Sequence, residues 1–315
     1  MFLYMLRRLL LMALTLFGMS ILVFVLLRLM PGSVADILFE ASGFVDPAER
    51  ARIEAELGLD QPIVQQYFTW IGAFLTGDFG FSYISERPAL DLILSRIPIT
   101  AQLAAWALIF SVVLGVPLGV ISAVRQNSTF DYVLRLVSLS GLSMPSFWLA
   151  LLAMMLFLHL FGYVPIYSSA PETLWDEISF YLLPAAVVGF RSSALIMRLT
   201  RSSMLEVLRQ DFVRTARSKG ASEHSVYYRH ALRNAILPVV TIIGIEAAFL
   251  IGGLVVTETV FNIPGLARFM VEAIVWRDYP IVQNLVMLVA LVTVVVNFAV
   301  DMLYAVLDPR IRYAG

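Results

Sequence analysis

The sequence predicts an all-α integral membrane protein with six transmembrane helices, both termini in the cytoplasm and a small extracytoplasmic segment between the first two helices. Three observations carry this expectation. Of 315 residues, 60% are hydrophobic and only 14% charged, with a mean hydropathy of +0.84, whereas soluble chains run at about 45–50% apolar and about 25% charged. Six apolar stretches reach the length of about 20 residues that a helix needs to cross a hydrocarbon core of about 30 Å. Threaded with the N-terminus inside, the chain leaves fourteen of its 22 basic residues on the cytoplasmic side, as the positive-inside rule requires.

The first stretch, 9–29, follows Arg7 and Arg8 and has no small-residue cleavage pattern before Met30-Pro31-Gly32, so it is expected to stay as an uncleaved anchor. Residues 31–98 then lie outside, rich in acids from Asp36 to Asp91. A helix is expected there from Pro47, with Asp46 as N-cap and Gly58 as its stop. The remaining spans are 99–123, 133–161, 181–200, 236–257 and 283–306. External segments cover 162–180 and 258–282, and the second holds the turn Asn262-Ile263-Pro264-Gly265 before Phe269, Met270 and Ile274, the pattern of a re-entrant or interfacial helix. The aromatics Tyr67, Trp70, Trp175, Tyr181, Trp276 and Tyr279 sit near span ends and are expected to anchor at the interface. The organisation expected is an N-terminal helix (1–30), an extracytoplasmic cap (31–98), a domain of five helices (99–308) and a cytoplasmic tail (309–315).

Several chemistries are excluded. There is no cysteine, and the three histidines, His159, His224 and His230, are too scattered for a metal site. The single lysine, Lys219, follows Ser218, so no phosphate-binding Gly-Lys-Ser/Thr loop exists. With no His-Glu-x-x-His and no Gly-x-Ser-x-Gly, no catalytic, cofactor or metal residue is assigned, and the chain is not expected to be an enzyme or a nucleic-acid binder.

The most informative segment is the cytoplasmic loop 201–235, and within it 206–238. Phe212, Val213, Ala216, Val226, Tyr227 and Ala231 give apolar points at helical spacing, Gly220 interrupts them, and Ser222 with Glu223 suits a new helix start. The pattern is helix, glycine turn, helix. A protruding pair of this kind suits docking into a partner's groove, and a basic loop that only fixes topology fits the residues equally well.

This loop resembles the EAA loop of ABC importer permeases, in the form used by the dipeptide and oligopeptide family. Gly220 matches the motif glycine, Ala216 its second alanine and Leu232 its leucine, while Arg214, Thr215, His230 and Arg233 depart from the general consensus in the manner of the peptide subfamily. The resemblance extends through Glu56-Leu57-Gly58-Leu59-Asp60-Gln61-Pro62, Gly77-Asp78-Phe79-Gly80, Ser143-Met144-Pro145, Thr257-Glu258-Thr259-Val260-Phe261 and Asp308-Pro309-Arg310-Ile311-Arg312 to almost the whole chain. It implies the type I importer permease fold in a multi-pass protein of the bacterial inner membrane. It also implies a second, related permease as heterodimer partner, two ATPase subunits that hold ATP and Mg²⁺, and an extracytoplasmic substrate-binding protein. Arg214, Thr215, Ala216, Arg217, Lys219, Gly220, Ala221, Ser222 and Glu223 would form the ATPase-coupling loop. The competing reading is an ion-gradient-driven transporter or channel, marked by broken helices in two matching halves.

Ser140, Ser143, Ser146, Arg191, Glu246, Asn297 and Asp301 are candidates for the translocation path, because polar groups in apolar spans face protein or a water-filled cavity. Each also has a plain structural reading: snorkelling for Arg191, inter-helix hydrogen bonding for Asn297 and Asp301, close packing for the serines. Gly115, Gly119, Gly244, Ala248 and Gly252 are expected to serve helix packing.

Overall fold

The computed structural model describes residues 2–29, 47–56, 58–82, 84–165, 167–168 and 173–307. The expected cap by Asp46 and the Met30-Pro31-Gly32 and Asp308-Pro309 motifs lie outside the described residues. The chain forms two compact units, one drawn from residues 1–100 and 264–295, the other from 101–263 and 296–314.

The first unit begins with α1 (Phe2–Leu29). Ser20, Val23, Phe24 and Leu27 are buried, a stripe at i, i+3, i+4 and i+7, while Leu10, Leu14 and Leu26 are exposed, as a lipid-facing side requires. After α2 (Pro47–Glu56), closed by Gly58 at φ +65°, comes α3 (Ile63–Thr76). Its Tyr67 hydroxyl lies 2.8 Å from Ser20 Oγ, and its Trp70 ring stacks on Phe24 at 6.0 Å. Two short antiparallel strands, β1 (Phe81–Ser82) and β2 (Arg87–Pro88), lead into α4 (Ala89–Leu94). The core joins Leu92 and Ile93 of α4 to Phe269 of α13 (Leu266–Val275) and to Ile281 and Leu285 of α14 (Tyr279–Leu307). Asp278, just before α14, is 3% exposed and accepts a hydrogen bond from the Ser82 hydroxyl; burial pushes its carboxyl pKa above the usual carboxylate range.

The second unit takes most of α5 (Ile97–Val124), then α6 (Thr129–Ser143), α7 (Ser146–Phe161) and α8 (Leu174–Val207). Ser128 caps α6, and a reciprocal Thr173–Asp176 capping box starts α8. The chain continues through α9 (Asp211–Ser218), α10 (Glu223–Ser225), a π-helical segment (Val226–Ala231), α11 (Leu232–Gly253) and α12 (Val255–Val260).

Among the described residues five helical segments are long and apolar enough to cross a membrane, and a sixth crossing requires α6 and α7 together, bent by 113°. The single span expected over 133–161 is therefore broken. Pro145 has no N–H, and it forces Met144 out of the helical region, to φ −79° and ψ 134°. The segment expected to be a re-entrant or interfacial helix is α13; it buries Leu266, Phe269 and Ala273 in the protein core and leaves Val271, Ile274 and Val275 exposed on its other side. The interfacial role expected of the aromatics fails for Tyr181 and Tyr279, which are buried, while half-buried Tyr67 bonds Ser20 and half-buried Trp70 donates Nε1 to Asn284. Trp175 and Trp276 remain exposed.

Close helix packing explains the small residues. A Cβ on Gly119 would sit 2.7 Å from the Met197 carbonyl oxygen, and one on Gly115 would sit 2.9 Å from that of Ser193, both on α8. A Cβ on Gly244 would lie 2.4 Å from Val300. Replacing Gly119 by alanine should force α5 and α8 apart and destabilise the protein by about 1–3 kcal/mol. Thermal unfolding in detergent measures this, with Gly18→Ala, where a Cβ meets nothing within 4 Å, as the near-neutral comparison.

Candidate functional site

The cytoplasmic end of the second unit carries an elbow between α8 and α11. At 1.5 Å per residue the 34 residues of α8 extend about 50 Å, well beyond a hydrocarbon core of about 30 Å. The elbow therefore hangs from a helix that has already left the membrane.

Its first arm, α9, buries one residue, Val213, in a cluster with Met204 and Val207 of α8, Val226 and Ala231 of the π segment, Ala235 of α11, and Val120 and Ala123 of α5. Phe212, Arg214, Thr215, Arg217 and Lys219 are exposed, and Ala216 is half-buried. The arm stops in a full Schellman motif: Gly220 N–H donates to the Arg217 carbonyl at 2.9 Å and Ala221 N–H to that of Ala216 at 3.2 Å. Gly220 sits at φ +81°, in the left-handed region where a Cβ is strained. Ser222 then caps the second arm, accepting from Ser225 N–H, with Glu223 in its first turn. Arg217 closes the corner by donating Nε and Nη2 to the Glu223 carboxylate at 2.9 and 3.1 Å, which raises its pKa above the usual arginine value.

The expected helix, glycine turn, helix is thus present, with the predicted glycine and serine in their predicted roles. The π segment that joins the elbow to α11 has no counterpart in the sequence reading. It sits where such segments often mark functional sites.

A second element was equally hidden. Asp131 is fully buried at the start of α6 and receives Arg201 Nε and Nη2, each at 2.8 Å, the Ser122 hydroxyl at 2.5 Å and the Asn127 N–H at 3.1 Å. It fastens the α5–α6 turn to α8 a few residues before the elbow. Its sequence signal was only that of an acid in a first helical turn after a serine cap, and Arg201 read as one of many cytoplasmic bases.

The path candidates do not form one group. Ser140 donates to its own helix at the Val137 carbonyl, and Ser143 and Ser146 are exposed on either side of the α6–α7 break. Arg191 is exposed with its guanidinium 5.2 Å from the Phe249 ring centre. Glu246 is 7% exposed and accepts from Ser192 Oγ at 2.5 Å, which ties α11 to α8. Asn297 is exposed and Asp301 half-buried on α14.

With this geometry established, comparison with known proteins is direct. A family model described as "binding-protein-dependent transport system inner membrane component" matches residues 115–313, and the N-terminal model of the same system matches 1–104. The chain is 40% identical to the di/tripeptide transport system permease protein DppB of Pseudomonas aeruginosa, over 98% of each chain. It is 38% identical to the dipeptide transport system permease DppB of Alkalihalophilus pseudofirmus, over 98% of this chain and 99% of that one. The glutathione transport system permease GsiC of Escherichia coli is also 38% identical, again over 98% and 99%. Among solved structures, an inward-facing MetNI methionine ABC transporter chain superposes with a TM-score of 0.58 at 16% identity, over 69% of this chain and 96% of that one.

Removing half of the buried pair, as in Asp131→Asn, should destabilise the protein by about 3–5 kcal/mol, because Arg201 is left with an uncompensated charge. Arg217→Ala, in an exposed pair with side chains 41% and 55% accessible, should change stability by no more than about 1 kcal/mol. Thermal unfolding of both variants in one detergent separates the structural pair from the exposed clamp.

Proposed function

The chain belongs to the family of binding-protein-dependent transport system inner membrane components, and from that premise we propose that it forms one half of a paired permease that moves short peptides or related small solutes inward. It is a multi-pass transport subunit of the bacterial inner membrane and not an enzyme; ATP hydrolysis belongs to partner ATPases. The second half of the pair is a related permease, two ATPases bind the cytoplasmic elbows, and an extracytoplasmic binding protein delivers the solute. ATP and Mg²⁺ sit on the ATPases, and this chain holds no cofactor. The choice of solute is supported by the relatives, whose names give dipeptides, di/tripeptides and glutathione.

The observation that carries the coupling role is the elbow's asymmetry. One buried residue, Val213, roots α9 in a cluster shared by α5, α8 and α11, while Phe212, Arg214, Thr215 and Lys219 are exposed to a partner's groove. The Schellman stop at Gly220 and the Arg217–Glu223 clamp hold the arm at a set angle to α11, with Ala221 and Ser222 forming the corner. When the ATPases close, a push on α9 is delivered through Val213 to three membrane helices at once. The tight Gly115 and Gly119 contacts make α5 and α8 move together, so the pair rocks between inward-open and outward-open states. In this reading Glu246 and Ser192 hold α8 to α11, and Ser143, Ser146, Arg191, Asn297 and Asp301 are left as polar contacts for the passing solute.

In liposomes containing the whole transporter, Gly220→Val should leave ATP hydrolysis running while uptake of labelled dipeptide falls to background, since a β-branched residue cannot hold φ +81°. Phe212→Asp should weaken ATPase binding in detergent pull-down. Normal coupled uptake in the Gly220 variant would overturn the coupling role.

A further inference from the structure

The groove between α6 and α8, at their cytoplasmic ends, gathers arginine without acid. A pocket of about 440 Å³ opens there, lined by Tyr132, Arg135, Leu136 and Leu139 of α6 and by Arg198 and Arg201 of α8. Among the described residues no Asp or Glu lines it. Arg201 gives its charge to Asp131. Arg135 and Arg198 are exposed and form no ion pair among the described residues, and the Arg135 guanidinium lies 5.5 Å from the Tyr132 ring centre on its own helix.

Two contacts fix how these positions stand to each other. The Asp131–Arg201 pair, at 2.8 Å, joins α6 to α8 at one point, and Gly141, where an added Cβ would lie 2.9 Å from the Phe190 ring, joins them at another. Between these contacts the helices run antiparallel, ten residues of α6 beside eleven of α8. Arg135 is four residues from the first contact and Arg198 three, about 6 and about 4.5 Å along the axis at 1.5 Å per residue. The two arginines therefore stand within one helical turn of the same height, on neighbouring helices.

Their depth follows from the apolar stretches, which begin at 133 in α6 and end at 200 in α8. With the N-terminus inside, both limits are cytoplasmic, so Arg135 and Arg198 lie at the inner boundary of the hydrocarbon. An uncompensated charge is costly there and like charges on adjacent helices repel, so an anion between them stabilises the pair. Leu136 and Leu139 line the same pocket on the membrane side of Arg135, with Val137 exposed beside them. From cytoplasm to membrane the groove thus presents cations and then an apolar wall. That is the order of phosphate and acyl chain in an anionic phospholipid, whereas a free phosphate matches only the first half.

We infer that this groove holds one anionic phospholipid of the cytoplasmic leaflet, its phosphate between Arg135 and Arg198 and an acyl chain along Leu136 and Leu139. Basic pockets between membrane helices on the cytoplasmic side bind such headgroups. A guanidinium also offers a phosphate two parallel N–H donors where an ammonium offers a point charge. The site borders the Asp131–Arg201 pair, so a bound lipid braces α6 against α8 at the base of the elbow. It depends on the orientation of the chain in the membrane and not on the identity of the solute.

The full-length chain and the assembled transporter, each purified in an uncharged detergent, are titrated with dioleoylphosphatidylglycerol and with dioleoylphosphatidylcholine, and bound lipid is counted by native mass spectrometry. The expected result is one phosphatidylglycerol per copy of this chain in both preparations, held at least about tenfold more tightly than phosphatidylcholine. Arg135→Gln with Arg198→Gln should abolish that preference, and Arg135→Lys with Arg198→Lys should keep most of it. Arg125→Gln, which removes a cytoplasmic charge outside the pocket, should leave it unchanged. Both replaced arginines are exposed, thermal unfolding checks that the variants fold, and the comparison of the two lipids on the wild type stands without them. Equal binding of the two lipids would overturn the site, as would a preference that survives the double glutamine variant. Glycerol phosphate displacing the lipid at matching concentration would show an anion site with no acyl contact and overturn the lipid assignment. Binding by the free chain that vanishes in the assembled transporter would overturn it too, since a partner subunit then covers the groove.

Discussion

Hydrocarbon offers no partner to a free N–H or C=O, so every segment that crosses it has to close its own backbone hydrogen bonds. Most of this fold follows from where the chain meets that condition and where it escapes it. Pro117, Pro184 and Pro238 lie inside long helices that continue through them. At Pro145 the chain breaks instead, and α6 and α7 each end on a separate cap, Met144 N–H to Ser140 and Gly162 N–H to Leu158. Lipid supplies no hydrophobic drive between helices, and association rests on contact, which is why Gly115 and Gly119 face the α8 backbone so closely that an added Cβ would come within 3 Å of it.

The cytoplasmic end answers to different rules, because water is available there and polar groups can be placed at will. The chain uses this freedom to stiffen a corner. Asp131 and Arg201 fix the base, the valine cluster roots the arm, and the glycine stop sets the angle. What remains free is a helix face that presents Phe212 beside basic residues. The division is mechanical: rigid at the root, open at the surface that meets a partner.

The features readable in the sequence were those with short-range chemical signatures. Six apolar stretches, Gly220 as a stop, Ser222 as a cap and Gly119 as a contact residue each follow from spacing or backbone conformation within a few positions. What could not be read depended on residues far apart meeting. Asp131 finds Arg201 seventy positions away, and Trp70 finds Asn284 across 214. Tyr181 and Tyr279 carry the same side chain that marks membrane interfaces, yet folding buries both. The path candidates were chosen for polarity alone, and polarity is also what ties Glu246 to Ser192 across two helices.

The π-helical turn at Val226–Ala231 sets a phase. A π turn takes up one residue more than an α turn over the same rise, and each residue of an α-helix advances about 100° around its axis. The elbow is therefore clocked about 100° out of step with the face that a regular helix continuing from α11 would have presented. If this turn relaxed to regular α-helix with no residue removed, the apolar pattern of α11 and the loop chemistry would both stay intact and Phe212 would still swing to a different bearing. A single deletion that took the extra residue out would instead leave the bearing as it is, so the turn acts as a store of one residue's worth of length between the elbow and α11.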